Sequence, residues 1–229
     1  AETSIELEDE IRKEDPPRPG LLVDREIKLL LRGGDLRVIP VIDEAQQIGS
    51  SSIDVRLGHN FEVFFANIHG PIDVCDPQPV NPDNDESRYV EIDHLDGIML
   101  SPGQFVLAHT LEYIRLPPNL AAQLEGRSSF ARMGIQVHMT AGFVDAGFEG
   151  SLTLEIANFG PAAVKLYPGT RIAQLRLFRV SSSERPYSKN TNIKYRGLLS
   201  QNKTRQSRDP EVDMIKNAIS KARESGRKR

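Results

Sequence analysis

The chain has 229 residues, 38% hydrophobic and 27% charged, with a formal net charge of −3. This balance suits one soluble main domain with a modest core, offers no basic field for nucleic acid and contains no apolar run long enough for a membrane helix. The single cysteine, Cys75, excludes an internal disulfide framework and a multi-cysteine zinc cage, and it fits a reducing, cytoplasmic setting.

Residues 1–20, "AETSIELEDEIRKEDPPRPG", are charged, end in prolines and a glycine, and predict a flexible acidic arm without an apolar leader core. A helix follows, with Asp24 as N-cap, an apolar stripe of Ile27, Leu30 and Leu31, and Gly33 as its stop. From Leu36 to about Arg179 the pattern changes to short alternations broken by Gly, Pro, Asn and Asp, such as "SSIDVRLG", "FEVFF", "SLTLEIANFG" and "TRIAQLRLF". These predict a mainly β domain, a barrel or sandwich, over residues 21–180. One short helix, "GRSSFARMG", interrupts the strands at Gly126–Gly134, and its start combines hydroxyls, free N–H groups and Arg127 into an outline anion site. Residues 181–208 carry an excess of basic groups with little periodicity, and 209–229 predict a terminal helix with Val212, Ile215, Ile219 and Ala222 on one side.

The candidate site residues come from this middle region. In "SLTLEIANFG", Leu152, Leu154 and Ile156 alternate with Ser151, Thr153, Glu155 and Ala157. A strand Glu on an open face is ordinarily solvated and idle. Here its neighbours are small and suit a pocket wall, where a carboxylate can shuttle protons. Asp145 lies in "GFVDAGFEG", where glycines imply tight turns, and it is either a turn residue or a ligand contact. Ser128 and Arg132 stand four apart on one helical face beside Arg127 and Ser129, which points to a phosphate or a polarised carbonyl. The histidines show no metal-ligand spacing, and the zinc-deaminase motif is absent. His138, between Val137 and Met139, reads as a satisfied strand histidine, and Asp54 and Arg56 of "SSSIDVRLG" read as structural ion-pairing groups.

Taken together, "GRSSFARMGIQVHMTAGFVDAGFEGSLTLEIANFG" resembles the central motif of the dCTP deaminases, within the trimeric dUTPase-like superfamily. "LLVDREIKLLL", "SSSIDVRLG", "LSPGQFVLAHTLEYIRLP" and "PYSKNTNIKYRG" resemble further family segments in the same order, covering roughly Leu21 to Arg208. The resemblance implies a distorted β-barrel of the dUTPase-like, β-clip type with a few short helices, and a C-terminal lid over residues 181–208. It also implies a homotrimer with sites between subunits, dCTP as substrate, magnesium bound through the triphosphate, no zinc, and inhibition by dTTP. By position, Glu155 matches the catalytic glutamate that activates water for attack on C4 of cytosine, and Ser128 and Arg132 match the pair that holds that water and the tetrahedral centre. Ala141 matches a backbone contact to the water, Asp145 the sugar 3′-hydroxyl contact, and Phe148 the aromatic packed on the deoxyribose. Gln174 resembles a base- or phosphate-contacting glutamine, while Arg127, Ser129, Tyr187 and Lys194 match phosphate contacts. Leu198 departs from the family's lid glutamine, and the acidic arm and the 209–229 helix have no counterpart.

The implied activity is deamination of dCTP to dUTP and ammonia, feeding thymidylate synthesis. Gly142-Phe143 instead resembles members that go on to dUMP and pyrophosphate, with Asp145 as the base of the second step. A nucleotide sensor without catalysis is the remaining alternative, disfavoured by the intact Ser128, Arg132 and Glu155 set.

Overall fold

Alternation becomes strand throughout the middle of the chain in a computed structural model, which describes residues 19–64, 87–93, 95–187, and 214, 215, 217, 218, 220 and 221. The strands are β1 (Gly20–Leu21), β2 (Arg37–Ile39), β3 (Ile53–Arg56), β4 (Asn60–Phe64), β5 (Ser87–Glu91), β6 (Ile98–Leu100), β7 (Phe105–His109) and β8 (Tyr113–Arg115). They continue with β9 (Leu120–Gly126), β10 (Ile135–Gln136), β11 (Phe143–Val144), β12 (Glu149–Gly150), β13 (Thr153–Asn158), β14 (Val164–Leu166) and β15 (Arg171–Arg179). Helices α1 (Asp24–Gly33), α2 (Glu44–Gln47) and α3 (Ser128–Ala131) interrupt them.

The strands pair antiparallel in four sheets. One runs β1-β15-β9-β11, with β3 also on β15; a second runs β10-β13-β7-β4-β5; β12-β8-β2 and β14-β6 complete the set. The described strands thus do not close into one barrel. Among the described residues the sheets end in edge strands, including β11, β10 and β5, each with a neighbour on one side only, and the long β15 is shared by β1, β3 and β9. The two larger sheets send their apolar sides into one core: Leu154 and Ile156 of β13, Val106 and Ala108 of β7, and Ala173, Leu175 and Leu177 of β15 are fully buried. The opposite face of β13 carries Thr153 and Glu155, half-buried, as the alternation predicts.

Local details refine three sequence expectations. The N-cap of α1 is Val23, one residue before Asp24. Valine has no side-chain acceptor, so the Glu26 carboxylate closes the cap by accepting from the Val23 N–H at 3.1 Å. The left-handed cap at the far end is Gly34, one residue beyond Gly33. Helix α2 was not expected; it is nucleated by Asp43, whose side chain accepts from the Gln46 N–H at 3.1 Å.

A crossing of two glycines positions the region after α3. Gly134 has φ +85°, and a Cβ there would sit on the Cα and N of Gly160. A Cβ on Gly160 would come within 2.5 Å of the Met133 carbonyl. Buried Asn158 organises this crossing: its Nδ2 donates to the Leu100 and Ala162 carbonyls, both at 2.9 Å, and its Oδ1 accepts from the Gly160 N–H at 2.9 Å. No helix among the described residues is long and apolar enough to cross a membrane. At the described positions between 214 and 221 the chain is helical, with Met214 and Ile215 exposed.

Candidate active site

Three groups of side chains gather the sequence-predicted residues. The first centres on Glu155. It lies on β13 opposite Leu107 of β7, and its Oε2 accepts from the Met139 N–H at 3.0 Å. Its other oxygen, Oε1, has no hydrogen-bond partner among the described residues. The chain reaches Met139 by leaving the sheet just after Gln136, the last rung of β10. His138 is therefore in a loop, not a strand, and its buried Nδ1 has no hydrogen-bond partner among the described residues. Val137 and Met139 made it read as a strand residue, but Met139 is exposed. Ala141 is exposed on the same loop.

The second group surrounds Asp54 on β3. Its Oδ2 lies 3.4 Å from Arg127 Nε and 3.2 Å from Arg171 Nη1. Arg127 Nη1 also donates to the Arg171 carbonyl at 2.9 Å. Arg171 Nη1 reaches further to the Gln46 carbonyl on α2. Burial raises the Asp54 pKa above the ordinary carboxylate value, against the pull of Arg127, Arg171 and Arg56. Gln174 stands directly across the ladder from Asp54, and its Oε1 accepts from Ser52 Oγ at 3.3 Å. Asp54 is an ion-pairing residue as expected, but its partners are Arg127 and Arg171. The involvement of Arg171 had no local signal in the sequence, because these residues meet only through strand pairing. Arg56 points to a separate partner, Glu112, with Nη1 3.4 Å from Oε1.

Helix α3 links these two groups. Arg127 is its N-cap, Ser128 and Ser129 fill its first turn, and Arg132 closes it by donating its N–H to the Ser128 carbonyl at 3.1 Å. Both serines and Arg132 are exposed. Among the described residues no hydrogen bond or ion pair joins Ser128 or Arg132 to Glu155.

The third group lies at the turn between β11 and β12. The Asp145 carbonyl accepts from the Phe148 N–H at 3.1 Å, and its carboxylate is exposed. Tyr187 docks here: its N–H donates to the Ala146 carbonyl at 2.8 Å, and its ring packs on Phe148 with centroids 5.5 Å apart. Asp145, Phe148 and Tyr187 are thus brought together as one wall. Lys194 and Leu198 lie outside the described residues. No group of three His, Cys, Asp or Glu side chains among the described residues has the arrangement of a metal site.

Comparison with known proteins matches residues 21–180 to the dCTP deaminase-like family model. The chain belongs to the dCTP deaminase-like family. Relatives named "dCTP deaminase, dUMP-forming" include one from Dictyoglomus thermophilum, 42% identical over 176 residues, covering 76% of this chain and 89% of the relative. A second, from Nanoarchaeum equitans, is 42% identical over 179 residues, covering 73% of this chain and 88% of the relative. Among solved structures, the 2′-deoxycytidine 5′-triphosphate deaminase of Agrobacterium tumefaciens superposes with a TM-score of 0.55 at 25% identity. That match covers 71% of this chain and 49% of the other, so this chain spans about half of that protein's length.

Proposed function

We propose that this protein converts dCTP and two waters into dUMP, pyrophosphate and ammonia at one site. The observation that carries the reading is the Glu155 carboxylate: one oxygen is anchored by the Met139 N–H and the other is left to work. Glu155 takes a proton from the first water as its oxygen attacks C4 of cytosine, and that proton passes to the ring nitrogen. The C4–N4 bond of the tetrahedral adduct breaks, a further proton transfer through Glu155 lets ammonia leave, and dUTP remains. Ser128 and Arg132 hold the attacking water and the developing charge, each donor being worth about 3–4 kcal/mol at the transition state. A second water then attacks the α-phosphorus and pyrophosphate leaves. The relatives' dUMP-forming name favours this two-step reading over release of dUTP.

Arg127, with Arg171 and Gln174 beside it, takes the phosphates; Ser129, Tyr187 and Lys194 complete the grip. Phe148 packs on the deoxyribose, Asp145 binds the sugar 3′-hydroxyl and serves as base for the second water, and the Ala141 backbone contacts the first. With proton transfer assigned to Glu155, the first step needs no zinc-bound water, and magnesium enters on the triphosphate oxygens, whose charge it offsets. A homotrimer with sites shared between subunits is in keeping with Ser128 and Arg132 making no hydrogen bond or ion pair to Glu155 among the described residues. It is equally in keeping with the exposure of Met133 and Phe159 at the glycine crossing, 45% and 65%, and of Met139 on the loop after β10, 41%.

The test is product analysis from dCTP with magnesium. Dialysed protein should release ammonia and pyrophosphate in equal amounts, with dUMP and no accumulating dUTP on ion exchange. Accumulating dUTP without pyrophosphate would reduce the reading to deamination alone, and absence of ammonia would sink it. Glu155→Gln should abolish ammonia release while still binding dCTP.

A further inference from the structure

We infer that Gln136 is a positioning residue for the Glu155 carboxylate, acting through the single peptide unit between His138 and Met139. The inference rests on the reading of Glu155 as the proton carrier. Gln136 Nε2 donates to the His138 carbonyl at 2.9 Å and to the Met139 carbonyl at 3.1 Å. Both amide protons are thereby used, and the amide is oriented: with Oε1 in that place, an acceptor would face two acceptors. The His138 carbonyl and the Met139 N–H belong to one peptide plane, and in a trans peptide they point in opposite directions. One side of that plane is held by Gln136; the other donates to Glu155 Oε2 at 3.0 Å.

The rest of the loop does not fix this plane. Its far end is pinned at Gly142, whose carbonyl accepts from the Leu124 N–H at 2.7 Å. A Cβ at Gly142 would collide with the His138 ring and the Leu124 carbonyl, so the loop must close tightly there. Between the two ends, Met139, Thr140 and Ala141 are exposed. A rotated 138–139 peptide would turn a carbonyl toward the carboxylate in place of an N–H. Gln136 is directly opposite Ala157 on the ladder, two residues from Glu155 on the same face of β13, so its backbone is held in register with the group it serves.

Side-chain replacements separate this role from simple packing. Gln136→Met removes the donors at nearly constant size, Gln136→Lys keeps donors, and Gln136→Glu sets a carboxylate against the two carbonyls. Ammonia release should rank wild type and Lys above Met, and Met above Glu. For Met, kcat should fall by about ten- to a hundredfold, the scale expected of a displaced catalytic group, with KM for dCTP within about twofold. Amide hydrogen exchange of the peptide containing Met139, measured by mass spectrometry on the full chain, should speed up in the same order. Equal kcat and equal exchange across the variants would overturn the inference, as would a loss that follows side-chain size and not donor capacity. If Met unfolds, the Lys and Glu pair still decides between the two. Should wild type release no ammonia, the exchange order alone decides whether Gln136 holds the peptide, and the failure belongs to the reading of Glu155.

Discussion

Glu112 offers the sharpest test of the packing beneath the site. Its carboxylate is fully buried, and the Arg56 side chain beside it is 10% exposed. Glu112 Oε2 accepts from the Arg56 N–H at 2.7 Å, and Oε1 from Gln47 Nε2 at 3.1 Å and Arg56 Nη1 at 3.4 Å. Burial nonetheless raises its pKa above the ordinary carboxylate value, and the bonds to Arg56 only partly counter this. Desolvation therefore outweighs attraction, and the intact pair contributes little net stability. Half a pair is another matter. Glu112→Leu removes the counter-ion of a buried guanidinium, whose Nη1 keeps only the Gln47 Oε1 acceptor at 2.5 Å, and leaves the Arg56 N–H and Gln47 Nε2 without an acceptor, at about 1–3 kcal/mol for each such donor. The total expected is about 3–5 kcal/mol, the usual cost of breaking a buried pair, or roughly 6–20 °C in Tm for a chain of this size. Arg56→Met combined with Glu112→Leu removes the stranded charge and should cost less than the two single changes added, by about 1–3 kcal/mol. Thermal and urea unfolding at matched protein concentration would measure both. A Tm loss under about 3 °C for Glu112→Leu, or strict additivity in the double variant, would refute the argument.

Two further outcomes follow from the same geometry. Asp54→Asn loosens Arg127 and Arg171; because these pairs are partly exposed, at 32% and 26% for the arginines, the effect is modest, a rise in KM for dCTP of about two- to tenfold. Steady-state kinetics read it, and an unchanged KM would argue against the proposed role of Arg127 and Arg171 in holding the phosphates. His109 is buried, its Nδ1–H donates to the Thr110 carbonyl at 2.8 Å, and burial lowers its pKa below the ordinary 6.5. The folded state thus binds this proton less tightly than the unfolded chain, so the stability it contributes is full above pH 6.5 and is lost as pH falls through the lower folded value. His109→Asn, which keeps a donor without titrating, should flatten the fall in Tm across that window; parallel curves for both proteins would argue against it.

How far the sequence reached depends on whether a feature is local. The alternation of Leu152, Leu154 and Ile156 with Thr153 and Glu155 marks the buried and open sides of β13, because side-chain period is a property of one strand. The helix around Ser128 was legible from its hydroxyls and Gly134 for the same reason. The cap of α1 falls one residue before Asp24 because a valine occupies it and the Glu26 carboxylate, three residues on, closes it in place of a cap side chain. The partition into four sheets was not legible, since it depends on which short strand reaches which partner. Of the residues matched by family resemblance, Glu155 lies on β13, Ser128 and Ser129 on α3, and Asp145 and Phe148 at the turn before β12, whereas nothing local in the sequence singled out Arg171 or Gln136. Arg171 is 117 positions from the Asp54 it holds. Gln136 acts only because the chain leaves the ladder immediately after it, a departure that the apolar Val137 and Met139 conceal.

The glycine crossing at positions 134 and 160 limits how this protein can be altered. Each glycine occupies the volume that a side chain on the other's segment would need, so no single substitution at either position has an easy first step. Because each added Cβ meets backbone atoms of the other segment, an evolving or engineered lineage would have to move the two backbones apart, with Asn158 between them still bonding three backbone groups. Variation around Glu155 is therefore channelled elsewhere: to Thr153 on the open face, and to the exposed loop residues Met139 and Thr140. A library aimed at new bases or sugars has its room there, whereas one spread evenly over the motif would spend many of its members on chains that cannot bring α3 up to β10.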